Sequence, residues 1–240
     1  MITNKPYPQF FFGDAQYCVE PSYFREKKLS SKELILKQPF FSLDITKNFN
    51  ALVFLHQQHG DNGIIITDEQ KAQRIPAFCK KGDFLITTVS KIGIGIVTAD
   101  CLPVFVLDKK NWVIAAVHSG WRGTALSIVP KVIGIMCNDF GSIVSDLEVF
   151  FGPCAKSCCY QVQKDFLKNI QDFEFYNQVI IEKDDKIFFD NLHMVKLQLN
   201  ALGLLDDQVS LSNLQCTMCT QSFCSFRNGS TSRNVSFISI

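Results

Sequence analysis

Three residues with metal-binding side chains end apolar runs or precede glycine turns in this chain: His59 before Gly60, Cys101 after Asp100, and His118 before Ser119-Gly120. Two imidazoles and a thiolate form a stable zinc set. Three protein ligands leave the fourth tetrahedral position open, the arrangement of a catalytic rather than a structural site. A bound zinc would bring the pKa of water there towards neutrality and supply a nucleophile. Asp61 and Asp100, each close in sequence to a candidate ligand, are placed to orient an imidazole or move a proton. The same residues allow a chemistry without metal, with Cys101 as nucleophile and His118 as the base that lowers its pKa. Separations of 42 and 17 residues match no short metal motif, so spacing alone leaves both chemistries and a structural role open.

Two arginines join this set. Arg122, in Gly120-Trp121-Arg122-Gly123-Thr124, stands where a helix should begin and free N–H groups favour anions; with Arg227 it is a candidate for binding phosphate, against the alternative of a structural hydrogen-bonding hub. Of the ten cysteines, most read as small core hydrophobes. Cys216-Thr217-Met218-Cys219, and Cys154 with Cys158-Cys159, invite a second zinc site. Neither run has a matching second half at regular spacing, so both are read as structural.

The elements that position these groups centre on Thr98 to Thr124. A strand ends in Asp100-Cys101, a second apolar run leads to a tight turn, and a third delivers His118 ahead of a Gly-rich turn and a helix. Upstream, the runs 51–59 and 63–67 around Gly60-Asp61-Asn62-Gly63 read as a strand pair joined by a turn, with His59 rather than His56 facing the site because strand residues alternate. The runs 84–89 and 92–98 read as a hairpin. Gly93 and Gly95 mark one face where another backbone or a ligand approaches closely. Downstream, the pattern predicts a helix over 124–138 containing Pro130, a strand over 147–151, a helix over about 163–172, a strand over 186–189 and a helix over 191–202 capped by Asp190. Residues 216–238 read as turn, strand, turn, strand. Residues 1–45, punctuated by Pro6, Pro8, Pro21 and Pro39, are the least patterned, with a short helix or exposed loop near 24–34. Strands in hairpins, not strictly alternating with helices, imply a mixed-sheet α/β (α+β) fold, and 240 residues suit a single domain.

Composition narrows the function classes. A net charge of +1 without a basic run argues against a nucleic-acid binder. The absence of a signal-like h-region or an 18-residue apolar window argues against export and membrane insertion, so the expected compartment is the cytoplasm, where cysteines stay free, metal-bound or catalytic.

Five motifs, in order, then carry a resemblance: Gln58-His59-Gly60; Thr98-Ala99-Asp100-Cys101-Leu102-Pro103-Val104; His118-Ser119-Gly120-Trp121-Arg122-Gly123-Thr124; Gly152-Pro153-Cys154 with Cys158-Cys159-Tyr160-Gln161-Val162; and Ser225-Phe226-Arg227. They resemble the laccase-domain family, variously called multicopper polyphenol oxidase and purine nucleoside phosphorylase, which includes the bacterial peptidoglycan-editing factor. The resemblance implies one domain of cysteine-hydrolase-like fold spanning 1–240, with 1–45 atypical, usually monomeric, and a metal held by His59, Cys101 and His118. It also implies phosphorolysis of adenosine, inosine, guanosine and methylthioadenosine, and deamination of adenosine. Purine nucleoside and phosphate are the expected partners. The chain departs from the family near its start, where Phe10-Phe11-Phe12-Gly13-Asp14-Ala15 lacks an arginine and a glycine pair that members generally carry. Arg25 is the available substitute.

Three other readings follow from the same residues. One is a Cys101-His118 hydrolase editing cell-wall precursors. Another is copper oxidation of polyphenols, for which four histidines are too few, although a His₂Cys set can take up one copper. The third is a vestigial site in a binding protein.

Overall fold

Strands covered on both faces read as unbroken apolar runs, because neither face needs polar residues. Ile92–Thr98, Leu102–Asp108 and Val113–Ser119 are such runs, and every residue in them is buried. The computed structural model describes residues 8–37, 46 and 48–240; Pro6, Pro39 and the other residues outside these ranges are not described.

In chain order the elements are β1 (Gln9–Phe12), β2 (Cys18–Val19), α1 (Pro21–Lys27), α2 (Ser31–Lys37), β3 (Ala51–Phe54), β4 (Gly63–Ile66), α3 (Glu69–Arg74), β5 (Phe84–Thr87), β6 (Ile92–Thr98), β7 (Leu102–Asp108) and β8 (Val113–Ser119). There follow α4 (Trp121–Ala125), α5 (Ile128–Phe140), β9 (Leu147–Phe151), β10 (Gln161–Val162), α6 (Lys164–Leu167), α7 (Tyr176–Val179), β11 (Ile180–Lys183), β12 (Lys186–Phe189), α8 (Asn191–Ala201), β13 (Val209–Ser210) and β14 (Arg233–Ser239).

Two mixed sheets stack face to face. One runs β1-β14-β6-β3 with β2 on β14; the other runs β13-β9-β7-β8-β5-β4. Alternation assigns side chains to layers. Val53, Ile92, Ile94, Ile96, Phe105, Leu107, Ile114, Ala116 and Ile238 fill the space between the sheets. Val104, Val106, Ala115 and Val117 point the other way, onto Val129, Val132 and Met136 of α5 and Val195 and Leu199 of α8. On the opposite outer face Leu52, Phe54, Val235 and Phe237 meet Phe24 of α1 and Leu34 of α2. The result is a mixed α/β fold in four layers, helix, sheet, sheet, helix. A small third sheet, β10-β12-β11, stands apart. No described helix is long and apolar enough to cross a membrane.

Two expected hairpins are absent. β3 pairs in parallel with β6, and β4 in parallel with β5, so the connection around Gly60 crosses from one sheet to the other. β5 likewise pairs with β8, and β6 with β14, despite the four residues between β5 and β6. The real hairpins are β7–β8 and β11–β12. Gly93 and Gly95 are approached mainly by side chains, not by a ligand: a Cβ at Gly95 would lie 2.3 Å from the ring of Phe54 and 2.9 Å from the backbone oxygen of Ser236, and one at Gly93 would lie 2.7 Å from Leu52.

The expected helix over 124–138 is two, α4 and α5, broken at Ser127, whose φ is 56°. The helix expected over 163–172 shrinks to α6. Asp190 caps α8 as expected, its carboxylate accepting from His193 N. Within 216–232 no strand forms; β14 alone carries the C-terminal pairing. Of the ten cysteines only Cys154, Cys216 and Cys224 are buried, fewer than a core role for most of them requires.

Candidate active site

The site lies at the end of the sandwich where the chain changes sheets. β3 and β6 both end there, and β4 and β7 begin there in the other sheet. His59 lies on the β3-to-β4 crossover and Cys101 on the β6-to-β7 crossover. The β7–β8 register pairs Pro103 with His118, which sets His118 beside the start of β7. One ligand atom from each of His59, Cys101 and His118 lies within 4.8 Å of the others, so the structure brings this expected trio together. The two imidazole centroids are 4.8 Å apart with the rings near perpendicular.

Backbone conformation sharpens this placement. His59 has φ 60° and Asp100 φ 87°, left-handed values that non-glycine residues adopt rarely and that concentrate at functional sites. Because β3 stops at Phe54, strict alternation does not extend to His56 and His59. Both line the cleft, and only His59 joins Cys101 and His118. Gly120 packs against the trio: a Cβ there would lie 3.1 Å from Cys101 Sγ and 3.1 Å from His59 Cδ2.

The residue that sequence reasoning missed is Asp83, at the mouth of β5. Its buried carboxylate contacts His118 Nδ1 at 2.9 Å. It also accepts the backbone N–H groups of Gln58 (3.1 Å to each oxygen), His59 (2.9 Å) and Gly60 (2.9 Å). One carboxylate therefore orients His118 and holds the loop that carries His59, leaving Nε2 of His118 as the nitrogen available to a metal. Burial disfavours the charged form, but His118 and these N–H groups outweigh it and hold Asp83 below the usual carboxylate range. Its only sequence signal is a lone acid after Gly82 at the start of an apolar strand. Asp61, expected to serve an imidazole, is instead ion-paired to Lys131 Nζ at 2.7 Å on a half-exposed surface.

Cys101 and His118 perturb each other. Burial opposes charge on both. The imidazoles of His118 and His59 nevertheless pull the Cys101 thiol down to about 6. Cys101 and Asp83 push His118 up to about 9. In the metal-free chain the pair is a thiolate and an imidazolium at neutral pH.

A cleft of about 490 Å³ opens onto this trio. Arg122 and Arg227 both line it, as expected, and so do Arg25 and Arg233. Arg122 lies over the Trp121 ring (4.5 Å), Arg227 over Tyr160 (5.0 Å) and Arg233 over Phe226 (5.7 Å). Arg227 also donates through Nη1 to Gln161 O. Asp100 is held by Thr217 Oγ1 (2.7 Å) and by the backbone N–H of Arg227 (2.8 Å).

The donor set suits a metal: a pre-oriented imidazole, a second imidazole and a thiol with depressed pKa meet within the span of one ion. Among the described residues the other group of comparable compactness contains thiols alone, so no imidazole-rich multi-copper cluster is present there.

This fold and trio define a laccase-domain protein. Residues 40–240 match the family described as multi-copper polyphenol oxidoreductase laccase, and the chain belongs to it. Among its relatives, a purine nucleoside phosphorylase of Clostridium acetobutylicum is 33% identical over 195 residues, covering 80% of this chain and 78% of that protein. A purine nucleoside phosphorylase of Borreliella burgdorferi is 32% identical over 162 residues, 66% of this chain and 69% of that one. An adenosine deaminase from an unknown prokaryotic organism is 27% identical over 144 residues, 58% of this chain and 55% of that protein. The crystal structure of the hypothetical protein YfiH of Bacillus licheniformis superposes with a TM-score of 0.72 at 25% identity, over 88% of this chain and 79% of that one.

Proposed function

We propose that this chain is a zinc-dependent purine nucleoside phosphorylase that also deaminates adenosine, working as a cytoplasmic monomer. One observation carries the reading: His59, Cys101 and His118 face a single cleft that also holds Arg25, Arg122, Arg227 and Arg233 beside Trp121, Tyr160 and Phe226. Among the described residues Asp100 is the only carboxylate lining it, and its oxygens accept from the Thr217 hydroxyl and the backbone N–H of Arg227. Such a wall attracts an anion, and its guanidinium-on-ring pairs present planar groups on which a base can stack. Its volume lies in the range of small-molecule sites. The names of the relatives support the same class.

In phosphorolysis a phosphate oxygen bonds to the ribose C1′ as the C1′–N9 bond breaks, and the purine leaves as the protonated free base. Arg122 and Arg227 bind the phosphate, with Arg25 in the place of the missing N-terminal arginine. In deamination water adds at the purine C6 and ammonia leaves. His59, Cys101 and His118 are the residues that would hold zinc, and Asp83 positions His118. A zinc ion held there supplies a Lewis acid at the cleft wall. Asp100, on the cleft wall next to Cys101, is assigned the proton transfer; each of its oxygens keeps a lone pair beyond the one bond it accepts. Copper is the competing ion for the same donors.

A second reading rests on the Asp83–His118–Cys101 line, which is also the orienter, base and nucleophile order of a metal-free cysteine hydrolase. The two separate in one experiment: phosphate-dependent turnover of adenosine, inosine and methylthioadenosine by metal-analysed protein, beside Cys101→Ala and His118→Ala. Release of free base or inosine by the wild type, lost in both variants together with about one zinc equivalent, supports the nucleoside enzyme. Failure of the zinc-loaded wild type to turn over any nucleoside removes that reading and leaves the hydrolase, to be assayed on peptidoglycan precursors.

A further inference from the structure

We propose that Cys158, Cys159, Cys216 and Cys219 form a second metal site, a closed four-thiolate zinc centre that staples two loops behind the cleft. The four sulfurs lie within 4.8 Å of one another. Cys219 Sγ is 3.5 Å from Cys158 Sγ and 3.2 Å from Cys159 Sγ. Four thiolates in a tetrahedron about 2.3 Å from zinc are about 3.8 Å apart, so the cluster has the span of one ion and is too tight to surround several irons. Thiolates select soft ions over magnesium or calcium, and four of them leave no open position, which makes the centre structural.

The halves are a Cys-Cys pair and a Cys-x-x-Cys turn some sixty residues apart in sequence, which is why no regular spacing announces them. A short parallel bridge brings them together: Cys154 N donates to Gln215 O at 3.1 Å and Thr217 N to Cys154 O at 3.0 Å. Cys158 and Cys219 are exposed, so an ion has a way in.

The position explains what the centre is for. Between β13 and β14, residues 211–232 form neither helix nor strand, yet they carry Phe226 and Arg227 to the cleft and Thr217 to Asp100 on its wall. A structureless stretch of this length in a folded domain needs tethering if it is to hold functional groups in register. Cys216 precedes Thr217, whose hydroxyl holds Asp100. Cys159 precedes Tyr160, over whose ring Arg227 lies. One ion at the four sulfurs would fix both loops. Binding releases the thiol protons: one Zn²⁺ and four thiols give a tetrathiolate centre of net charge −2 and four protons, with no change of oxidation state.

The test uses the reduced, metal-free full chain carrying Cys101→Ala, which removes the thiol of the His59 set. Titration with Co²⁺ should raise a sulfur-to-cobalt charge-transfer band that saturates at one equivalent and is bleached by Zn²⁺. Adding Cys219→Ser should weaken it and lower affinity at least tenfold, on the scale of losing a metal ligand. In case that variant fails to fold, the unmutated chain decides: zinc should slow iodoacetamide labelling of Cys158, Cys159, Cys216 and Cys219 at least tenfold relative to Cys18 and Cys79. The proposal is overturned by the absence of a thiolate-to-cobalt band in Cys101→Ala, by labelling rates that zinc leaves unchanged, or by recovery of a Cys159–Cys219 disulfide from zinc-treated protein kept under reductant.

Discussion

Replacing Asp83 by asparagine tests whether one carboxylate sets both imidazoles. Asparagine keeps the shape but turns one oxygen into an NH₂ group. The better orientation keeps its carbonyl at Oδ1, serving His59 N–H and His118 Nδ1, and points the NH₂ at Gly60 N, a donor 2.9 Å away. The charge-assisted bond to Gly60 is lost, about 1.5–3 kcal/mol, and a buried donor is left unpaired, about 1–3 kcal/mol more. The sum, about 2.5–6 kcal/mol, corresponds to a fall in Tm of about 5–24 °C for a domain of this size. Asp83→Ala, which strips the carboxylate partner from Gln58, His59, Gly60 and His118 together, should cost more than Asp83→Asn. His118 loses its counter-charge in both, so zinc affinity measured by chelator competition should fall 10–100-fold. The sign with pH is fixed. The folded carboxylate titrates below its ordinary value of 3.8, so its contribution is complete well above that value and is lost as the pH falls through the folded pKa. The gap between wild type and Asp83→Asn should therefore close in acid. An Asp83→Asn protein with Tm within about 2 °C of wild type, and zinc affinity within about twofold, would show that the carboxylate does not organise the site.

Four further outcomes are expected. In the metal-free chain, iodoacetamide labelling of Cys101 should rise through a midpoint near 6, present at neutral pH and lost below it, and His118→Ala should move that midpoint up towards 9; an unmoved midpoint would mean that His118 does not hold the thiolate. Gly120→Ala should keep its fold yet lose turnover about tenfold, since its Cβ presses within 3.1 Å of Cys101 and His59 and a small misplacement of reacting groups is costly; wild-type turnover would show that the trio tolerates the push. Arg227→Met and Arg122→Met should raise KM for phosphate by about ten- to a hundredfold with a smaller effect on the nucleoside KM, as loss of one charged contact implies, and equal effects on both would reassign these arginines. Phe105→Ala should cost about 3–5 kcal/mol in chemical denaturation, because this ring is fully buried between the sheets and stacks on Phe12 at 4.6 Å; a loss under about 1 kcal/mol would mean that the core recloses around it.

The stretch from Thr98 to Thr124 was legible because its chemistry sits at strand ends, where apolar runs stop abruptly and a thiol or imidazole stands out. The partners of those strands were not. β3, β4, β5 and β6 lie in a sandwich covered by helices on both sides, so their patterns contain little of the polar alternation that tells which sheet a strand belongs to. The four residues between β5 and β6 look like a hairpin loop, yet the chain uses them to leave one sheet for the other. The helix over 124–138 failed locally for a different reason: apolar periodicity runs on from Leu126 to Ile128 and Val129, while the backbone turns left-handed at Ser127 between them.

Long-range pairing accounts for the rest of what the sequence hid. Asp61 is two residues from His59 and looked like its partner; Asp83 is 24 residues away and is the one that binds the His59 amide and, 35 residues on, the His118 ring. Local spacing favours the neighbour because nothing in it encodes that Gly82-Asp83 opens β5 directly beside the end of β8, where Phe84 pairs with Val117. The four outlying cysteines teach the same lesson: 158–159 and 216–219 are each half of a donor set, and the bridge from Cys154 to Cys216 alone makes them one. In a fold whose site is assembled from sheet-crossing loops, the residues that supply the chemistry can be read from the chain, and the residues that hold them still are fixed by which strand lies next to which.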